Sequence, residues 1–388
     1  MVPNGWSKKE LGDIAHITSG GTPSREKIEY WANGTIPWIR TTEVQNCVLN
    51  LNDTKEFITE LGLKKSSAKL VPAGSILLAM IGQGKTRGQV ALLNFEASTN
   101  QNCAVIILNE DNDPVFYFNY LLSQYENIRG ASNSAGQSNL SGALVKAIKV
   151  PVPPYFEQQK IAQILSTWDQ SILTTEKLLE NSQQQKKALM QQLLTGKKRL
   201  LDENGVKFSD EWQRIELGLL LDYQQPTPYL VESTAYSDSY ETPVLTAGKT
   251  FILGYTNESS GIYQDQLPVI IFDDFTTDSK YVNFPFKAKS SAMKILTAKK
   301  GVSIKFVFEA MQMLQFTVGG HQRHWISIFS NLVIPLPNKK EQQQIAEVLS
   351  LADQEIETLQ KKLDCLQQEK KALMQQLLTG KKRVKVAA

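Results

Sequence analysis

The sequence predicts an α+β protein in which two globular units are separated by two long helices that pair within the chain. Three observations predict it. Residues 157–199, EQQKIAQILSTWDQSILTTEKLLENSQQQKKALMQQLLTGKKR, recur at 341–383 as EQQQIAEVLSLADQEIETLQKKLDCLQQEKKALMQQLLTGKKR. The copies align without a gap and are about two-thirds identical, so internal repetition governs the architecture. Both copies carry a heptad seam, which wants a partner helix. The segments before the two copies share a plan and differ in their letters.

Residues 1–156 form the first globule. Residues 11–17 read as a strand closed by the turn residues Ser19, Gly20, Gly21, Thr22 and Pro23. Further strands are expected at 36–40, 75–81, 89–94 and 103–108, which are rich in apolar and β-branched residues. Phe116, Leu121, Leu122 and Tyr125 mark a helix over 115–128. A loop of small polar residues, 130–142, and a last strand, 145–150, lead into Pro151-Val152-Pro153-Pro154, which stiffens the joint to the helix that follows.

The first rod, residues 157–200, places Ile161, Leu165, Trp168, Ile172, Leu179, Leu189 and Leu193 on one face, with Thr175, Ser182 and Lys186 as polar breaks. The second, residues 341–388, does so with Ile345, Leu349, Ala352, Ile356, Leu359, Leu363, Leu366, Leu373 and Leu377, broken by Lys370. Gly196 and Gly380 sit where C-caps belong, with Lys and Arg just beyond. About 38 residues at ~1.5 Å each make a rod of about 57 Å. Two matching seams in one chain cost little to bring together, which favours pairing within the chain over a coiled coil between two chains.

Residues 201–340 repeat the plan. Trp212, Leu217 and Gly218 echo Trp6, Leu11 and Gly12 at the same spacing. Strands are expected at 243–245, 269–272, 281–284 and 293–296, a helix at 305–314 and a polar loop at 319–325. Ile334-Pro335-Leu336-Pro337 then matches the prolines before the first rod.

The 388 residues suffice for two or three domains. A net charge of +3 provides no whole-protein basic field, so a nucleic-acid surface must be local. Cys47, Cys103 and Cys365 are odd in number and scattered, which argues for a reducing compartment. The opening residues contain no apolar signal-peptide core, and the apolar runs are of strand length. A cytoplasmic protein with no membrane partner is expected.

Catalytic patterns are weak. Val152 precedes Pro153-Pro154-Tyr155 where a DNA methyltransferase needs Asn or Asp. His321 and His324 lie three apart with no other His or Cys near them in sequence, against a zinc site. No Ser or Cys has a recognisable base. Residues 79–86, AMIGQGKT, fit a relaxed phosphate-binding loop, and 269–274, VIIFDD, could pass for its metal-binding strand. However, Ala79 replaces the opening Gly, and RGQVALLNF continues as a strand where a phosphate site needs a helix N-terminus.

The parts come in one order, twice. A domain opens Trp-x4-Leu-Gly. Pro-x-Pro follows, then three residues, then Glu-Gln-x-x-Ile-Ala (Glu157, Gln158, Ile161, Ala162; Glu341, Gln342, Ile345, Ala346) and a long helix. Over essentially the whole chain this resembles the specificity subunit of type I restriction-modification systems. The resemblance implies that each globule is a target recognition domain reading one half of a bipartite site in double-stranded DNA. It implies a pseudo-twofold arrangement in which the rods form an antiparallel coiled coil that spaces the domains. Methyltransferase subunits would dock on the helices and domains, and restriction subunits would join through them. The chain itself would be non-catalytic and hold no cofactor; AdoMet, ATP and Mg would belong to the partner subunits, which methylate adenine. The rival reading is a coiled-coil adaptor that binds no DNA.

DNA contacts are then expected on polar loops. Gln83, Lys85, Thr86 and Arg87 lie between two strands, where Lys and Arg can take phosphate and Gln or Arg can read base edges. Gln137, Ser138 and Asn139 in the first globule, and Gln322, Arg323 and His324 in the second, occupy equivalent loops after the late helix. Thr276, Thr277 and Lys280 are further candidates. Asp273 and Asp274 would either accept from cytosine's amino group or end a strand in solvent. The clusters Lys197-Lys198-Arg199 and Lys381-Lys382-Arg383 are either helix-end charges or phosphate contacts.

Overall fold

A computed structural model of the chain describes residues 2–82, 84–134, 139–246, 250–314 and 324–385, with the backbone alone at 132–134. It divides into two compact units. Unit 1 comprises residues 1–175 and 362–388, and unit 2 comprises 176–361. Each unit thus takes one globule together with part of both rods.

The rods are helices over Tyr155–Leu193 and Lys339–Leu377. Both stop short of their glycines. Gly196 and Gly380 have φ of 70° and 71°, a left-handed conformation that only glycine adopts without strain. The turns are the same: Gly196 N and Gly380 N donate to Leu193 O and Leu377 O, and Lys198 N and Lys382 N to Gln192 O and Gln376 O. Within each unit the rods run antiparallel. In unit 1 Lys370 pairs with Asp169, and in unit 2 Lys186 pairs with Asp353 and Ser182 Oγ donates to Glu355 Oε1 at 3.3 Å. The polar breaks therefore belong to the seam. Thr175 and Ser182 are buried with the leucines, and each seam lysine meets an aspartate of the opposite helix.

Unit 1 is built on a five-stranded sheet in the order Ala15–Ser19, Cys103–Leu108, Ile76–Ala79, Val90–Leu93, Cys47–Leu49. The pairs are antiparallel except the last, which is parallel. A smaller sheet orders Phe57–Ile58, Ile36–Ile39, Ala97–Thr99 and Leu70–Val71. Ile76 and Leu78 point into a core with Leu11, Phe116, Leu121, Ile161, Leu165 and Leu377, while Leu77 and Ala79 point into a second core with Ile39, Val105 and Leu93. The central strands are covered on both faces, which is why they read as continuous apolar runs rather than alternating ones.

Unit 2 repeats the scheme with four antiparallel strands in the order Leu221–Gln224, Met293–Ala298, Val269–Asp273, Ser279–Val282. A three-stranded sheet stands beside it: Ile252–Thr256, Thr242–Leu245, Lys287–Ala288. Ile270 and Phe272 face a core that takes in Phe306, Trp325, Leu193, Ile345 and Leu349; Val269 and Ile271 face another with Tyr263 and Phe286. In both units one core joins the sheet, the late helix, the start of one rod and the end of the other.

Several expected elements differ. Residues 11–17 split into a helical turn, Leu11–Ile14, and a strand, Ala15–Ser19, after a separate strand at Ser7–Glu10. Asp13 Oδ2 accepts Glu10 N at 2.9 Å and caps the turn. The helix at 115–128 is two helices, Pro114–Ser123 and Tyr125–Ser134, so residues 130–134 are helical rather than loop. Residues 145–150 begin as the end of a helix, Gly142–Lys146, capped by Ser141 Oγ on Leu144 N, and the strand is Lys149–Val152. Short apolar runs of this kind do not distinguish helix from strand by periodicity. In unit 2 the strand expected at 281–284 is Ser279–Val282, and His324 and Trp325 open a helical turn, His324–Ser327, rather than closing a loop.

Candidate nucleic-acid interface

Each main sheet has two ends with different company. In unit 1, Ser19 pairs with Ala104, Ala79 with Cys103 and Leu78 with Val90. One end therefore gathers the Gly20–Gly21 turn, residues 100–102 and the hairpin tip between Ala79 and Val90. At the other end Asn109 N donates to Ile14 O at 3.0 Å, and Asp113 N to Gln158 Oε1 at 2.8 Å, which ties that end to the rod. Unit 2 has the same polarity: Lys299 N donates to Leu220 O and Ser303 N to Gln342 Oε1, each at 2.9 Å. Its free end holds the tip between Asp273 and Ser279 and residues 290–292.

One backbone joint recurs at both free ends. Met80 N donates to Asn102 O at 2.9 Å and Met80 O accepts Leu140 N at 2.8 Å. Asp274 N donates to Ala292 O and Asp274 O accepts His324 N, both at 3.1 Å. The loop after the late helix is thus fastened to the hairpin tip in the same way twice. This brings the expected contact loops together, although their side chains differ.

The individual residues fall into three groups. Gln83, Gln137, Ser138, Gln322 and Arg323 lie outside the described residues. Lys85, Asn139, Thr276 and Lys280 are exposed at the free ends. Thr86 is half-buried, and Arg87, Thr277 and His324 are buried, so these three are corrected from surface contacts to parts of the framework. The unit 1 tip is clamped from behind. Tyr125 Oη donates to Lys85 O at 2.7 Å and Arg129 Nη1 to Arg87 O at 3.3 Å. In unit 2, Asp273 accepts Phe275 N and Thr276 Oγ1, while Asp274 Oδ1 accepts Trp325 N at 2.9 Å and Oδ2 lies 3.4 Å from Lys294 Nζ. Both carboxylates are buried scaffold, neither a solvated strand end nor base readers. His324 Nδ1 sits 2.9 Å from Asp274 O. The burial of Asp274 and His324 follows from contacts between residues about fifty apart, which no local pattern reveals.

The resemblance of residues 79–86 to a phosphate-binding loop ends here. The segment turns between antiparallel strands and continues as Val90–Leu93, with no helix N-terminus to receive a phosphate.

The duplicated letters account for the joints. Gln158 Nε2 donates to Pro153 O at 2.9 Å while its Oε1 holds the cap of the late helix, Pro114–Ser123; Gln342 does the same with Pro337 O and Ser303 N. The glutamate before each glutamine is buried under an indole and a guanidinium. Glu341 accepts Trp212 Nε1 at 3.1 Å and is gripped by both Arg199 Nε and Nη2 at 2.6 and 2.7 Å. Glu157 accepts Trp6 Nε1 at 3.3 Å and pairs with Arg383. Gly12 and Gly218 press against the turn before the closing strand, where a Cβ would meet Lys146 Cβ at 3.2 Å and Ser330 Cβ at 3.1 Å. The Trp-x4-Leu-Gly opening is therefore a joint motif. Arg199 and Arg383 are committed to these glutamates, while the flanking lysines of the two basic clusters point to solvent.

The Arg383 guanidinium holds the Glu157 carboxyl below the usual carboxylate range. A carboxylate depressed in the folded state adds stability above its unfolded pKa and loses it as pH falls through the folded value. Arg383→Gln is therefore expected to lower the melting temperature of unit 1 near neutrality, by a margin that is steady above about pH 5 and shrinks in stronger acid. Melting curves of both proteins from pH 3 to 7 check this; a margin that grows in acid would contradict it.

A family model described as type I restriction modification DNA specificity domain matches residues 3–182 and 209–368. The type I restriction enzyme EcoR124I/EcoR124II specificity subunit of Escherichia coli is 52% identical over 145 residues, 36% of this chain and 34% of that protein. The match thus spans about a third of that relative's length. The type I restriction enzyme MjaVIII specificity subunit of Methanocaldococcus jannaschii is 23% identical over 423 residues, 99% of this chain and 94% of that one. Among solved structures, the type I restriction-modification S subunit from M. genitalium superposes with a TM-score of 0.66 at 16% identity, covering 97% of this chain and 96% of its own.

Proposed function

The chain belongs to the type I restriction-modification DNA specificity family, and we propose that it reads a bipartite DNA site, one half with each unit. The observation that carries this reading is the recurring joint: identical residues hold each sheet to the rods, while the opposite end presents tips that share a backbone connection and differ in sequence. A scaffold repeated with different tips suits two recognition tasks. The chain does no chemistry. It directs adenine methylation or restriction by methyltransferase and restriction subunits, and AdoMet, ATP and Mg belong to those partners. The methyltransferase subunits dock on the rods and globules, and the restriction subunits join through them. The assembly works in the cytoplasm. In support, Cys47, Cys103 and Cys365 are free thiols, and among the described residues no helix is long and apolar enough to cross a membrane.

Mapping methylated adenines in a host that carries this chain and its partners tests the function. Two short specific sequences at fixed spacing are expected, and they should vanish when the chain is removed; a contiguous motif would sink the two-headed reading. Asn139 is exposed at the free end of unit 1, so Asn139→Ala should weaken binding on the order of tenfold when it removes a base contact. The loss should fall on one half-site alone, read by selecting bound duplexes from a randomised pool. Equal loss on every sequence would assign Asn139 to the phosphates.

A further inference from the structure

The free end of unit 1 carries a third feature. After Ser19 the chain makes a turn with no room for side chains. A Cβ on Gly20 would lie 2.0 Å from Thr99 O, and one on Gly21 would lie 2.3 Å from the Ser67 carbonyl carbon. Trp38 Nε1 donates to Gly21 O and Trp31 Nε1 to Ser24 O, both at 3.0 Å. The two indoles meet edge to face at 5.0 Å, and the Arg25 guanidinium lies 3.6 Å from the centre of the Trp31 ring. Thr22 Oγ1 donates to Gln101 Oε1 at 2.5 Å, next to Asn102, which bonds Met80 at the root of the hairpin tip. The turn is therefore rigid and continuous with the tip.

The segment wedged against this turn, residues 64–69, reads KKSSAK. Lys65, Ser67 and Lys69 are exposed. Lys69 Nζ donates to Thr18 Oγ1 at 3.1 Å, and among the described residues neither Lys65 nor Lys69 pairs with a carboxylate. Lys64, in contrast, reaches Glu60 at 3.9 Å, and Arg25 is held by Glu56 at 2.6 Å. Two uncompensated ammonium groups on an immobilised segment, at the end of the sheet away from the rods, suit an anionic ligand that must be met in one register. Rigid cationic presentation of this kind fixes a duplex by its phosphates without reading its bases.

Building on the two-headed reading of DNA, we propose that Lys65 and Lys69 form a phosphate clamp that sets the register of unit 1 on the duplex beside its half-site. Neither lysine touches the core, so a Lys65→Ala/Lys69→Ala chain keeps its fold. The test uses the full chain assembled with its methyltransferase subunits and measures affinity for duplexes with and without the target site across a salt series. Each lost phosphate contact removes about 0.9 from the slope of log K against log salt, so a slope shallower by about 1.8 is expected. Affinity should fall on every duplex alike, with the selected half-site sequence unchanged. An unaltered slope in a variant whose parent binds DNA would overturn the clamp and leave the DNA-reading function standing. A changed base preference would overturn it too, by making these residues readers. A wild-type complex that ignores duplex DNA would remove both.

Discussion

Arg199→Ala is expected to destabilise unit 2 by about 3 kcal/mol, because it leaves a buried carboxylate without its cation. Glu341 is 0% exposed, and the guanidinium holds both its oxygens while packing 5.5 Å from the Trp212 ring. Alanine removes the charge, two charge-assisted hydrogen bonds and the cover over the indole together. Arg199→Lys keeps the charge and loses the fork, so its loss should be intermediate. Arg199→Met/Glu341→Leu removes both charges and should recover most of the stability, since an apolar pair of similar volume replaces a buried ion pair at little cost. Arg383 occupies an identical sequence context in unit 1, yet its side chain is 40% exposed against 16% for Arg199, so Arg383→Ala should cost less. Chemical unfolding followed by hydrogen exchange at Gln213–Glu216 and the first turns of Lys339–Leu377 reads the effect. Equal losses at the two arginines, or a double variant no better than the single one, would contradict the assignment.

The rods were legible because their information is local. A period of three and four, a missing Pro or Gly and a terminal Gly are properties of a short window, and they located both helices to within a few residues. The hairpin strands were legible for the same reason: Cys103–Leu108 is where the β-branched run lies. What could not be read is what depends on partners distant in sequence. Nothing near Glu157 announces that Arg383 and Trp6 close over it, and nothing in DDFTTD shows that Asp274 will be buried against His324 and Lys294. Repetition nevertheless held an unused clue. Residues that stay fixed between two otherwise divergent globules serve what the globules share, namely the joint to the rods, and recognition must fall on those that vary. On that logic Arg199 and Arg383, identical in both copies, were poor candidates for DNA contacts, whereas Lys85 and Asn139, on loops whose letters differ between the globules, were better ones.

The same contrast sets a second expected result at the seam lysines, which sit in letter-identical segments. In unit 2, Lys186 Nζ lies 2.6 Å from Asp353 Oδ1 and 3.1 Å from Glu309 Oε2; Lys305 Nζ lies 2.7 Å from Glu309 Oε1 and 2.8 Å from Asp353 Oδ2. Two ammonium groups and two carboxylates thus close a neutral square between the late helix and both rods. Burial pushes the Asp353 carboxyl up, but hydrogen bonds from Lys186 and Lys305 outweigh this and hold it below its ordinary range. Lys186→Met leaves the square with one excess negative charge next to the fully buried Glu309, a loss of about 3 kcal/mol. Lys186→Met/Glu309→Leu restores neutrality by leaving Lys305 with Asp353, and it should regain most of that loss. In unit 1, among the described residues, the corresponding Lys370 pairs with Asp169 alone, whose side chain is 49% exposed, and Asn119 stands in the late helix where unit 2 has Glu309. Asn119 is uncharged, so it makes no demand on a cation; its Nδ2 donates to Val115 O at 2.9 Å. Lys370→Met should therefore cost less than about 1 kcal/mol. Hydrogen exchange in Ile304–Gln312 against Pro114–Ser123 distinguishes the two sites in one experiment. Equal losses at Lys186 and Lys370 would mean that the rods alone bear the charge pairing, and that the late helix of unit 2 is not held by it.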